Sequence, residues 1–292
     1  MYQAHFGLQE LPFGLTPDTS YAYTCASYQA ALNTLLIAVG NGEGFIKITG
    51  EVGTGKTLLC RTFLAALDTS YTSAYIPNPS LEPRALLLAL ADDLKLRPKN
   101  VQLDQYQIIR GLTHVLLGYA AAGRRVVLCL DEAQAIPIKT FEALRLLTNL
   151  ETEKRKLLQV VLFGQPELDA KLAHESVRQL RQRITFQYEL EPLQPHELEY
   201  YLDHRLRVAG WQGPRLFGPA AVRALHHASR GIPRLVNIVG HKAMLLLYGE
   251  GGQQVYARHV RAAASDTPAA RQSWWGVWRH PPFMVSAFDM RR

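Results

Sequence analysis

A doubly wound α/β sheet followed by a smaller all-helical region is the fold class that this 292-residue chain predicts, and three observations carry the prediction. Gly50-Glu51-Val52-Gly53-Thr54-Gly55-Lys56-Thr57 is a complete Gly-x-x-x-x-Gly-Lys-Thr loop. A short strand at 44–49 enters it, and a helix with Leu59, Phe63 and Leu67 on one stripe leaves it. Val126-Val127-Leu128-Cys129-Leu130 contains no polar residue, the mark of a parallel strand covered on both faces. Such strands alternate with helical segments to about residue 190, and beyond it the pattern is helical only.

In chain order, residues 44–49 form the first strand, although Lys47 interrupts it and is expected to snorkel toward an edge. A short strand follows at 72–76, then helices at 86–94 and 106–122 and the apolar strand at 126–130. Phe141, Leu144, Leu147 and Leu150 recur at helical spacing, and strands at 157–164 and 184–190 complete the sheet. Pro195, with Glu197 and Glu199 in the first turn, opens a helix that Gly210 closes; Pro219 and Pro233 open two more, the last ending near Gly249. The expected organisation is an α/β domain at 1–190, a helical domain at 191–264 and a tail at 265–292.

Hydrophobic content of 48% with 20% charged residues describes a globular chain and excludes a disordered one. Residues 1–13 show no basic segment followed by an apolar run, and no stretch approaches the length of a membrane span, so the expectation is a cytoplasmic protein with no integral span. Cys25, Cys60 and Cys129 are too far apart for a metal or redox pair motif and read as reduced packing residues. The net charge of +7 is uneven. Residues 1–146 hold 12 basic and 12 acidic groups, whereas 147–292 hold 20 and 13, which suggests either an anionic partner or arginines serving subunit contacts and nucleotide sensing.

The loop points to a nucleoside triphosphate. Its glycines let successive backbone N–H groups, from Gly50, Gly53, Thr54 and Gly55 to Lys56, Thr57 and Leu58, curl around one anion, and the following helix adds its positive end. Lys56 reaches the terminal phosphates of ATP and the Thr57 hydroxyl is placed for Mg²⁺. Asp131 and Glu132 stand at the carboxyl end of the apolar strand, where open α/β sheets place ligand chemistry. Asp131 is the second candidate for Mg²⁺, and Glu132 is the candidate general base that activates water, which favours hydrolysis over transfer. Gln165 follows another buried strand and puts an amide near the same edge, or serves as a turn residue before Pro166. One of Arg178, Arg181 and Arg183 is placed to reach a neighbouring subunit's nucleotide, and Arg234, opening a helix in the second domain, is a candidate for touching phosphate from the other side. Asp131-Glu132-Ala133-Gln134 also occurs in helicases, but the chain has no room for the second lobe that they need.

Together these residues resemble the AAA+ ATPases, and more narrowly the bacterial group containing general secretion pathway protein A and the pilus-biogenesis protein MshM. The resemblance covers residues 6 to about 264 and rests on Pro12-Phe13, Thr16-Pro17-Asp18, the loop, Leu130 to Gln134, Phe163-Gly164-Gln165-Pro166-Glu167-Leu168, Leu180-Arg181-Gln182-Arg183-Ile184 and Gly231-Ile232-Pro233-Arg234-Leu235-Val236-Asn237. It implies a P-loop NTPase with a five-stranded parallel sheet in the order 5-1-4-3-2 and a small helical lid. It also implies Gln165 in the sensor 1 place, Arg234 in the sensor 2 place, Arg183 as arginine finger with Arg181 in reserve, and residues 12–28 near the adenine.

Two functions from different classes follow. One is an oligomeric ATPase at the cytoplasmic side of the inner membrane, soluble or peripheral, that drives assembly of a type IV pilus or type II secretion machine with protein partners and further copies of itself. The other is a DNA-associated ATPase of the transposition target-selector type. The tail, with Trp274, Trp275, Trp278, Phe283 and Phe288 beside Arg279, Arg291 and Arg292, suits an interfacial or partner anchor, although Pro281-Pro282 excludes one continuous amphipathic helix.

Overall fold

Three central strands without an exposed residue fix the architecture. In this computed structural model, which describes residues 2–96, 104–152 and 155–271, strands β1 (Phe45–Thr49), β2 (Tyr71–Ile76), β3 (Arg125–Leu130), β4 (Leu158–Gly164) and β5 (Ile184–Glu189) form one parallel sheet in the order β2-β3-β4-β1-β5. Read from the other edge, that is the expected 5-1-4-3-2. Every residue of β1 and β4 is buried, and β3 is buried after Arg125. Edge strand β5 instead alternates half-buried and exposed positions, as a strand covered on one face does.

Lys47 departs from expectation. It lies in β1 between β4 and β5, so no edge is within reach; it is 8% exposed, and its ammonium pairs with Asp169 on helix Glu167–Leu172. A buried amine needs a counter-charge. The structure supplies one across the sheet face rather than a route to solvent.

Helix Ala26–Gly40, not anticipated in the sequence, buries Tyr28, Ala31, Leu35, Ala38 and Val39, and the Tyr28 hydroxyl donates to Thr62 Oγ1 at 2.7 Å on the helix after the loop. The other side of the sheet is covered by Pro83–Asp93, Gln105–Ala121 and Ile138–Thr148. These bring Leu86, Leu90, Leu112, Leu116, Phe141 and Leu144 into one core with Val126, Leu128, Val160 and Leu162. A two-stranded antiparallel hairpin, Glu151–Thr152 with Arg155–Lys156, precedes β4 and was also unanticipated.

The chain divides into two compact units. Among the described residues, the α/β unit comprises Thr16–Glu197 with Ile232–Arg234, and the helical unit takes 2–15, Leu198–Gly231 and 235–271. The boundary therefore falls at 197/198 rather than 190/191, and the first fifteen residues group with the helices rather than the sheet. The helical unit shows why: buried Arg205 donates through Nε to Pro12 O at 2.5 Å and through Nη2 to Gly14 O at 3.3 Å, and the Tyr2 hydroxyl lies 2.8 Å from His241 Nδ1. Helices Ala257–Ser265 and Pro268–Arg271 extend this unit past the expected boundary at 264. The aromatic tail residues from Trp274 on lie outside the described residues. No helix among those described is long and apolar enough to cross a membrane.

Candidate functional site

Positive φ at Gly53 (86°) and Gly55 (103°) bends residues 50–57 into the turn that a side chain at either position would strain, and Gly55 caps helix Lys56–Ala66. Close approach restricts two of the glycines further. A Cβ on Gly53 would fall 2.5 Å from Arg234 Cβ, and one on Gly50 would fall 2.8 Å from the Leu190 carbonyl. Thr54 closes the loop from within, its hydroxyl donating to Glu51 O at 2.9 Å.

Lys56 is 5% exposed, and its ammonium donates to Gly50 O at 2.7 Å and Glu51 O at 2.9 Å. Burial pushes its pKa down, opposed by the charges of Glu132 and Asp131. Thr57 Oγ1 donates to Asp131 Oδ2 at 2.6 Å, so the two residues expected to hold magnesium present their oxygens side by side. Asp131 is 2% exposed. Burial raises its pKa, against the lowering effects of the Thr57 hydroxyl and the Glu132 N–H, the latter 3.0 Å from Oδ1. Tyr75, on neighbouring β2, donates to the same carboxylate at 3.4 Å and is pushed up to about 12, by burial first and the Asp131 charge second. The donor set of one hydroxyl and one carboxylate fits Mg²⁺, which keeps waters and borrows phosphate oxygens. No group of three or more His, Cys, Asp or Glu able to hold a metal occurs among the described residues, so a protein-only cage is not the alternative there.

Glu132 stands in the left-handed region (φ 52°, ψ 40°), a conformation that costs a non-glycine residue roughly 1–2 kcal/mol. The turn lifts its carboxylate off the strand direction. Oε2 then accepts the side-chain N–H groups of Gln134, at 2.5 Å, and Gln165, at 2.9 Å. Gln165 thus reaches the Glu132 carboxylate, which is more than a turn residue needs. Sequence reasoning missed the part of Gln134, which also accepts the backbone N–H of Gln165 through Oε1 at 3.1 Å. The only signal was its place in the string Asp131 to Gln134.

Arg234 is exposed and its backbone N–H donates to Gly53 O at 3.2 Å, so it borders the loop. Arg183 does not. Ile184 pairs with Phe45, the first residue of β1, whereas the loop follows Thr49, the last; five residues at about 3.3 Å each put Arg183 at the other end of the sheet. There its charge acts on Glu142, held below the usual carboxylate range chiefly by its bond to Arg145, and on Glu151, held down chiefly by Lys156. Arg178 and Arg181 are exposed on helix Arg178–Arg181. All three cysteines are free and buried. Cys60 is pushed up by its hydrogen bond with Cys129 and by burial, which keeps it protonated.

Residues 39–172 match the family described as AAA domain, and the chain is 41% identical over 279 residues to general secretion pathway protein A of Aeromonas hydrophila. The chain has the AAA+ fold, with an AAA domain matched at residues 39–172. The alignment covers 96% of this chain and 50% of that relative, so the chain spans half the relative's length. The AAA+ fold recurs in Cdc6p from Pyrobaculum aerophilum (TM-score 0.67, 17% identity, 87% of this chain and 70% of that one). Drosophila ORC bound to DNA (0.62, 16%, 87% and 65%) and the Thermotoga maritima RuvB branch-migration motor (0.56, 17%, 85% and 73%) share it too. At these identities the likeness is one of fold.

Proposed function

We propose that the chain is an oligomeric, magnesium-dependent AAA+ ATPase that hydrolyses ATP to drive or regulate assembly of an envelope machine, a type II secretion system or a related type IV pilus, from the cytoplasmic side of the inner membrane. The observation that carries hydrolysis is the contact of Thr57 with Asp131 at 2.6 Å directly beside Glu132. The loop N–H groups of residues 50–58 hold the phosphates and Lys56 neutralises their charge. Thr57 and Asp131 hold Mg²⁺, which when bound draws electron density from the phosphate oxygens. Glu132 takes the proton of the attacking water, and Gln165 orients it. Arg234 touches the loop from the end of a helix that continues into the helical unit, so it suits a lid that responds to nucleotide. Arg183, remote from its own chain's loop, suits a finger supplied to a neighbouring copy.

The secretion role is supported by the likeness to general secretion pathway protein A over nearly the whole chain. The alternative, a DNA-associated ATPase, draws on the basic second half. Titrating fluorescent duplex DNA at several salt concentrations separates the two, because phosphate contacts release counterions and weaken steeply with salt. Absence of binding at low salt removes the DNA-associated function. Pull-down of the Glu132→Gln variant with ATP and inner-membrane secretion components then tests the first: ATP-dependent recovery is expected, and recovery independent of ATP contradicts it.

A further inference from the structure

We infer that Gln134 is a positioning residue for the hydrolytic water, fixing Glu132 so that one carboxylate oxygen stays open to it. The inference rests on the proposed role of Glu132. Gln134 is half-buried on the single turn Ala133–Ala135, and it spends both ends of its amide locally. Its Nε2 donates to Glu132 Oε2, and its Oε1 accepts from the Gln165 backbone N–H. The Gln165 side chain donates to the same Oε2. Among the described residues no bond is made to Oε1 of Glu132, so that oxygen is the one left to accept a proton from water.

The chain provides for this bridge at three places. Left-handed φ at Glu132 reverses the backbone so that a residue two positions on can reach back to its side chain. Gly164 lacks the Cβ that would sit 3.4 Å from Gln134 Oε1 and 2.7 Å from Leu168 Cδ2. Lys171 Nζ donates to Ile136 O at 2.9 Å and ties down the end of the same turn. Without Gln134 the carboxylate would keep one donor, from Gln165, and would swing about it.

The test compares wild type with Gln134→Met, which keeps the volume and removes both hydrogen-bonding groups, and with Gln134→Glu, which keeps the shape and faces Glu132 with a second carboxylate. Steady-state hydrolysis, affinity for a fluorescent ATP analogue and melting temperature are measured for each. The expected result is a kcat lowered about tenfold or more in Gln134→Met, since small misplacement of a reacting group is costly. Nucleotide affinity should stay within about twofold by the same argument, because the loop is untouched. Gln134→Glu should fall at least as far, and it carries the test should Gln134→Met fold poorly. A packing role alone leaves Gln134→Met at wild-type kcat, and that result overturns the inference, as does a loss confined to affinity. Glu132→Gln run alongside separates the two levels. If it is inactive while Gln134→Met is normal, only the part given to Gln134 fails; if it turns over like wild type, the role of Glu132 itself fails.

Discussion

At the carboxyl ends of the strands, Lys56, Thr57, Asp131, Glu132 and Gln165 converge within hydrogen-bonding reach of one another or of the loop, and burial shifts Lys56 and Asp131 away from their ordinary pKa values. At the amino ends, Arg183 stands half-buried beside two carboxylates that already have closer partners, Arg145 and Lys156. The first end is built to act on a ligand within the chain. The second presents a cation with no role in its own chain's site, and that contrast motivates assigning it to a neighbour.

The largest effect that can break this comparison is at Arg183. Arg183→Ala should bind ATP normally yet lose the rise of specific activity with protein concentration, by up to roughly a thousandfold at high concentration, the usual worth of such a finger. Retained concentration dependence would assign the role to Arg181 or another residue. At the opposite end Lys56→Ala should weaken nucleotide binding by about ten- to a hundredfold, the cost of losing charge-assisted bonds to phosphate; calorimetric titration with an ATP analogue reads it, and unchanged affinity would remove Lys56 from the phosphates.

Asp131 sharpens the contrast through stability. Its folded-state pKa is raised, so the folded protein holds the proton more tightly than the unfolded chain. The contribution to stability is present below the ordinary carboxylate range and is lost as pH rises through the raised value. Asp131→Asn should therefore melt at or above the wild-type temperature at neutral pH while losing magnesium-dependent turnover, and a clear drop in melting temperature would contradict the assigned burial cost. The smallest effect concerns the C-terminal segment. Truncation after Arg271 should leave hydrolysis intact. Truncation after Ser265 also removes Thr267, 4% exposed and donating to Ala263 O at 2.8 Å, and should lower the melting temperature by several degrees, from a loss of about 1–2 kcal/mol.

The sheet, the loop and the pairing of Asp131 with Glu132 were legible in the sequence because each is a contiguous run whose residue types have a local physical cause. Helix Ala26–Gly40 was not, since its apolar residues do not mark out one clear stripe. The partner of Lys47 is 122 residues away at Asp169, and nothing near position 47 announces it. The bridge from Glu132 through Gln134 to Gln165 likewise depends on a left-handed residue and on a strand 31 positions on. Residues 2–15 carried a family pattern but no hint that Arg205 would hold them in the helical unit.

Hydrolysis by Glu132→Gln, measured at saturating ATP and magnesium alongside ATP affinity in the same preparation, tests the central claim most directly. Retained affinity with turnover lowered by roughly a hundredfold or more, as expected for removal of a general base, is the predicted result. Turnover equal to wild type would contradict it.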